Sequence, residues 1–287
     1  MDIILIFNGL GNQMSQYAFY LQKKYIHKNT YYMMTDSDHH GFELEKLFGI
    51  EEKRNPILYR LYCIEVDPKY RWIKTILNKI IPGGLNIIKE DRSYDYDSNN
   101  FIHQKGINFY SGGWHSEKNF VNLGDAVRQI YKFPPSDDKT FNHYKDLIEN
   151  CNSVSLHIRR GDYLKKDTEW DFSGVCTNDY YQKAIDYIYQ HVSSPVFYIF
   201  TDDLEYAKKN YNKEQFHIVD INRGEKSWRD MYLMTLCKHN IMANSSFSWW
   251  GAWLNKNPNK IVLHPGRFLR NYHTNDFYCD NWISIEG

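Results

Sequence analysis

The sequence carries no excess of either charge: 35 Lys and Arg offset 35 Asp and Glu in 287 residues. A general nucleic-acid binder shows a strong basic excess, so that class is excluded, while a local basic pocket is not. Cysteine is sparse. Cys63, Cys151, Cys176, Cys237 and Cys279 are scattered and never form a CxxC pair. An odd, dispersed set reads as reduced, buried thiols of a cytosolic protein, not as a disulfide framework or a zinc site. No apolar run is long enough to span a bilayer. The apolar start at residues 1–7 lacks a basic flank and a cleavage site, so no signal peptide is expected there. P-loop, HExxH and GxSxG motifs are all missing, which leaves kinase, metalloprotease and lipase chemistry without support.

Apolar and aromatic residues are plentiful, at 42% and 17%, with 24 Tyr and 8 Trp. That share supports sizeable cores, and the length suits one large or two modest domains. Aromatic rings line sugar and base sites, but they also pack ordinary cores.

Residues 3–7 read as a buried strand. Asn8-Gly9-Leu10-Gly11-Asn12-Gln13 follows, then a helix with Met14, Tyr17, Ala18, Leu21 and Tyr25 at helical spacing. Residues 30–35 predict a second strand, ending at Asp36. This unit imitates a dinucleotide-binding fingerprint, but Met14 stands where the third glycine or alanine belongs. Two readings stay open: a helix start facing an anion or a sugar, and a plain tight turn.

Residues 51–108 carry a poor signal. Apolar runs at 57–66 and 72–81 predict short helices over a sheet, with solvated basic faces. Residues 82–84 mark a turn and 93–100 a loop. The acid pairs Asp36/Asp38 and Asp95/Asp97 sit in polar stretches that read as ordinary loop, so no metal is placed on them. Residues 109–111 read as a strand end. In the glycine-rich stretch after it, Trp114, His115 and Glu117 are candidates for a sugar face. Ser116-Glu117 equally suits a helix start.

The second half alternates more clearly. Helices are predicted at 141–149, 178–192, 204–210 and 228–239, and strands at 154–158, 196–200, 217–219, 241–243 and 261–263. Such alternation predicts a doubly wound parallel sheet. Its strands end at Arg159-Arg160, Asp202-Asp203 and Asn244-Ser245, which are expected to face one crevice. Paired guanidiniums suit a diphosphate, although an arginine–carboxylate pair at a solvated strand end is common. Ser245 is a natural N-cap, and hydroxyls and amides at a helix start bind phosphate. Asp202 and Asp203 suit ribose hydroxyls or a guanine edge, or cap the next helix. Trp249, Trp250 and Trp253 are expected in the core, with Gly251 and Ala252 letting their helix approach the sheet. The residues describe a nucleotide-diphosphate site, and nucleotide-sugar transfer fits it.

His157-Ile158-Arg159-Arg160-Gly161-Asp162-Tyr163 resembles the HxRRGDY motif of the α-1,2-fucosyltransferases, glycosyltransferase family 11. Gly9-Leu10-Gly11-Asn12-Gln13-Met14 resembles the family's GLGNQ motif. Phe200-Thr201-Asp202-Asp203 is similar to its (F)SDD segment, with Thr for Ser. The run from Asn244 to Leu254 matches its NSSFSWWGAWL motif. Ser116-Glu117-Lys118 with Phe120 resembles its QSEKYF segment, with His115 for Gln and Asn119 for Tyr. These motifs span positions 9 to 254, and residues 51–108 add nothing to the match.

The resemblance implies an α/β, GT-B-like fold, two Rossmann-like domains facing a cleft. The acceptor-side domain would cover 1–150 and the GDP-fucose-binding domain 151–287. It implies inverting, metal-independent transfer of L-fucose from GDP-fucose to the 2-hydroxyl of a terminal galactoside, with no cofactor beyond the donor. Arg159, chosen over Arg160, would stabilise the leaving β-phosphate together with the helix start at Ser245, Ser246 and Phe247. His157 would orient the donor, Gly11 and Asn12 would contact its phosphate or fucose, Asn244 would line its site, and Asp202 or Asp203 would hold the nucleoside. Asp162 is the first candidate for the base and Glu117 the second; Asp162 anchoring Arg160 is an equal alternative. The expected partners are a nucleotide sugar and a galactose-terminated oligosaccharide, without nucleic acid or a transmembrane segment. The expected location is the cytoplasm, including the inner face of a bacterial membrane where surface glycans are built. The alternatives are another GDP-fucose linkage, such as α-1,6, and a non-catalytic nucleotide-sugar binding protein.

Overall fold

Asp2–Ile6 is a run of five buried residues and forms β1. A strand buried on both faces needs cover above and below, the setting of a parallel sheet. The computed structural model describes residues 1–35, 40–161, 163 and 171–287. In it β1 pairs with β2 (Thr30–Met34) on one edge and β4 (Ile107–Ser111) on the other. β3 (Leu85–Lys89) completes the order β2-β1-β4-β3, all parallel. The acid within β1 is neutralised internally, since Asp2 Oδ2 lies 3.0 Å from the buried Lys23 Nζ.

α1 (Leu10–Ile26) links β1 to β2 and buries Met14, Ala18 and Phe19. α2 (Glu43–Phe48) follows. α3 (Pro56–Val66) and α4 (Arg71–Ile80) are joined through a short turn at Pro68–Tyr70. Leu58, Leu61 and Tyr62 of α3 pack on Ile3, Leu5, Met33 and Phe109. The region of poor signal thus holds the two expected helices and one strand, β3, that was not expected.

The second unit has a six-stranded sheet of order β10-β9-β8-β5-β6-β7, again all parallel. Its strands are β5 (Asn152–Ile158), β6 (Pro195–Thr201), β7 (Phe216–Ile218), β8 (His239–Ile241), β9 (Val262–Pro265) and β10 (Ile283–Ile285). One face packs Val154, Leu156 and Ile158 under Tyr180, Ala184 and Ile188 of helix Asn178–His191. The other packs Tyr198 and Phe200 under Phe141, Ile148 and Leu233.

Two parallel α/β units meet the expectation of two Rossmann-like domains. They divide as Met1–Phe133 and Pro134–Gly287, not at 150/151. Helix Lys139–Glu149 belongs to the second unit because Phe141 and Ile148 complete that core. Helix Trp228–Leu236 stops short of the predicted 239, since His239 already pairs in β8. Trp249 and Trp250 are fully buried, as expected. Gly251, however, meets a helix rather than the sheet: a Cβ there would lie 2.9 Å from Met234 Cβ.

Candidate functional site

In an open parallel sheet a crevice forms at the carboxyl ends of the strands where the order reverses. In the second unit that point lies between β5 and β8. The loop after β5 carries Arg159, Arg160 and Gly161. The loop after β8 carries Asn244 and Ser245. The end of β6, on the other side of β5, carries Asp202 and Asp203. The structure therefore brings the three expected strand ends together.

Their geometry pairs each arginine with one aspartate. Arg159 Nε lies 3.2 Å from Asp202 Oδ2, and Arg160 Nε donates to Asp203 Oδ2 at 3.2 Å. Asp202 Oδ1 accepts from the Arg160 and Gly161 amides at 2.8 and 3.0 Å. Asp203 Oδ1 accepts from the Tyr206 amide at 3.0 Å, capping helix Leu204–Asn210. The Tyr206 ring lies 3.8 Å under the Arg160 guanidinium. A Cβ at 161 would come 3.0 Å from Asp202 Oδ2, so any residue but glycine would make that carboxylate give by a few tenths of an ångström. Both aspartates thus serve the arginines and the turn, and the expectation that Asp202 or Asp203 holds the nucleoside stays an expectation. Among the described residues, the acid that anchors Arg160 is Asp203. Asp162, the expected base, lies outside the described residues.

His157 is buried at the end of β5, and its Nδ1 has no hydrogen-bond partner. Burial, helped by the Arg159 charge, pushes its imidazole down to about 3. The ring is neutral near pH 7 and can orient a ligand atom without carrying charge. Ser245 Oγ accepts from the Phe247 amide at 3.3 Å and caps helix Ser246–Leu254. Ser246 and Phe247 are half-buried at that helix start, where amides and the helix dipole favour an anion. Asn244 does a different job. Its Nδ2 donates to the Phe172 and Phe268 carbonyls, both at 3.0 Å, and its Oδ1 accepts from Cys176 Sγ at 3.3 Å. It is a buried internal cross-link, which corrects its assignment to the donor.

In the first unit the strand order reverses between β1 and β4, so the loops after those strands are neighbours. Asn8 has φ 64°, and α1 starts directly after Gly9. Gln13 Nε2 donates to the Asn8 and Gly41 carbonyls at 2.7 and 2.8 Å. Gln16 ties the two loops, accepting from the Phe7 amide at 3.0 Å and donating to the Gly112 carbonyl at 2.9 Å. Gly11 is buried and Asn12 is half-buried at the start of the helix.

The loop after β4 departs from expectation. Trp114 has φ 53°, is 1% exposed and stacks on Phe19 at 4.2 Å between centroids. His115 is buried beside Ser15, Nδ1 to Oγ 2.9 Å, and burial pushes it down to about 3. Both are core residues, so the sugar-face assignment is corrected for both. Glu117 is half-buried in the first turn of the 3-10 helix Glu117–Leu123. Glu90 was not anticipated. Its Oε2 accepts from the Gly113 and Trp114 amides at 2.6 and 2.9 Å, and burial raises its carboxyl to about 7. An acid after a short strand carries no local signal for that role, because its partners lie 23 and 24 residues away.

The family model of glycosyl transferase family 11 matches residues 56–286. An O-antigen biosynthesis glycosyltransferase of Escherichia coli, WbnK, is 31% identical over 96% of this chain and 98% of its own length. An alpha-1,2-colitosyltransferase of Escherichia coli is 30% identical over 97% of this chain and 96% of its own. Galactoside alpha-(1,2)-fucosyltransferase 1 of Gorilla gorilla gorilla is 27% identical over 61% of this chain and 56% of its own. The match takes in β5, its two arginines and the capped tryptophan helix, and on it the chain belongs to glycosyl transferase family 11 and is a glycosyltransferase.

Proposed function

We propose that the chain transfers L-fucose from GDP-fucose to the 2-hydroxyl of a terminal galactoside, with inversion and without a metal. One observation carries this reading. Two guanidiniums stand at the end of β5, each held by its own aspartate, and the capped start of helix Ser246–Leu254 follows the neighbouring β8. That is a guanidinium- and amide-rich cradle of the kind a diphosphate needs.

In the reaction the acceptor oxygen attacks the anomeric carbon from the face opposite GDP. The bond to the β-phosphate oxygen breaks, and negative charge grows there. Arg159 and the positive end of helix Ser246–Leu254 stabilise it, the part a metal ion plays in other transferases. Neutral His157 orients the donor through its unpartnered Nδ1. Gly11 and Asn12, at the start of α1, contact phosphate or fucose. Asp162 takes the acceptor proton, with Glu117 as the second candidate. The first unit is the acceptor side.

The relative that is 30% identical over 97% of this chain favours a second reading, transfer of colitose in place of fucose. The test is incubation with lactose and either GDP-fucose or GDP-colitose, in EDTA, with GDP release and the product linkage measured. GDP release with GDP-fucose and an α-1,2 product supports the first reading. Turnover with GDP-colitose alone selects the second. A different linkage refutes the regiochemistry, and no GDP release with any acceptor refutes transfer from GDP donors.

A further inference from the structure

α4 sorts its residues by face. At roughly 100° per residue, Trp72, Ile73, Ile76, Leu77 and Ile80 share one side of the helix. Arg71, Lys74, Thr75, Asn78 and Lys79 share the other. An apolar face of that width normally packs into a core. Here Ile73 and Leu77 are half-buried, while Trp72, Ile76 and Ile80 are 67%, 49% and 69% exposed. Neither α3 nor α4 has a fully buried residue, and α3 exposes Ile57, Tyr59 and Val66 as well.

The charge of the same hairpin is one-sided. Over residues 56–80, Arg60, Lys69, Arg71, Lys74 and Lys79 face Glu65 and Asp67, so five bases less two acids leave +3 in a chain whose total is zero. Both acids are taken: Glu65 by Lys74 at 2.7 Å and Asp67 by Lys69 at 2.8 Å. Arg60, Arg71 and Lys79 are exposed and, among the described residues, have no acidic partner. A Trp and Ile stripe flanked by unpaired cations suits a bilayer surface, where apolar side chains enter the acyl boundary and cations meet anionic headgroups. No helix among the described residues is long and apolar enough to cross a membrane.

We propose that the α3–α4 hairpin is a docking surface for an anionic phospholipid bilayer, with Trp72, Ile76 and Ile80 as the inserted residues and Arg60, Arg71 and Lys79 as the headgroup contacts. Docking does not depend on which sugar is transferred.

The test is sedimentation of the full chain with phosphatidylglycerol vesicles and with phosphatidylcholine vesicles, at low and high salt. Binding to the anionic vesicles is expected to exceed binding to the neutral ones at least about tenfold and to fall with salt. The triple variant Trp72→Ser, Ile76→Ser, Ile80→Ser is expected to lose it, with its thermal melt and its GDP release on a soluble acceptor unchanged. Arg71→Glu with Lys79→Glu is expected to weaken it at least roughly tenfold. Failure of the wild-type chain to sediment with phosphatidylglycerol overturns the proposal, as does unchanged binding by the triple variant. A solution dimer that the triple variant abolishes, with no vesicle binding, assigns the face to a second copy of the chain instead.

Discussion

Arg159 and Asp202 meet at 3.2 Å at the ends of neighbouring strands, the guanidinium just beyond β5 and the carboxylate just beyond β6. The same carboxylate accepts the next two backbone amides, of Arg160 and Gly161. One acid therefore shapes the turn and aims the cation. The pair is about one-third exposed, so the ion pair itself adds little to stability, on the order of 1 kcal/mol or less. Its value lies in holding a charge where the leaving phosphate arrives.

Arg159→Ala is accordingly expected to lower turnover by roughly 10²–10³-fold, the range seen when one stabilising donor is removed from a developing anion. The melting temperature is expected to stay within a few degrees of wild type. Steady-state GDP release beside a thermal melt checks both. Near-normal turnover would remove the phosphate role from Arg159.

Asp202→Ala and Asp202→Asn separate the two jobs of that carboxylate. Alanine leaves two amides and a guanidinium without their acceptor, at a cost of about 1–3 kcal/mol where such groups are desolvated and less where water reaches them. Asparagine keeps an oxygen for the amides but no charge for Arg159. Asparagine is expected to restore the melting temperature while turnover stays at least roughly tenfold down. Equal recovery of both would show that the charge is not needed to aim the arginine.

Trp114→Ala is expected to cost about 3–5 kcal/mol of stability, since a fully buried ring stacked on Phe19 is lost. Denaturant titration measures it. Glu117→Ala, at a half-buried position, is expected to leave stability within about 0.5 kcal/mol. A Trp114 variant that melted normally and changed only the acceptor KM would return this ring to the sugar site.

Much of the second unit was readable because its apolar runs stop abruptly at polar residues. β5, β6 and β8 each end that way, and the parallel order follows from the helices between them. What could not be read is which groups meet across the sheet. Arg160 meets Asp203, 43 residues away in sequence, because β6 lies beside β5. Asn244 looked like a ligand residue, but its partners, the Phe172 and Phe268 carbonyls, come from distant segments. In the first unit, glycines, an indole and an imidazole together imitate a sugar platform. Only the fold shows that Phe19 of α1 covers the indole. β3 and β10 were missed because each is short and interrupts its apolar residues with polar ones.

Glu90 provides a pH-dependent test of the turn that holds Trp114. Burial raises its carboxyl from 4.5 to about 7, although the Gly113 and Trp114 amides pull the other way. The folded chain thus holds this proton more tightly than the unfolded chain does. By linkage, the contribution to stability is fully present below about 4.5 and is lost as pH rises through about 7. Asp230, raised to about 7 by burial, acts with the same sign, so removing Glu90 removes only part of the slope. Buried His115, His157 and His264, held down to about 3, 3 and 4, act with the opposite sign over this interval, so the expected result is a difference: Glu90→Gln gains stability relative to wild type from pH 5 to pH 8. Glutamine can still accept from the two amides, so the comparison isolates the charge. Denaturant titrations of both proteins at the two pH values decide it, and a difference between them that does not change with pH would show that Glu90 titrates alike in the folded and unfolded chains.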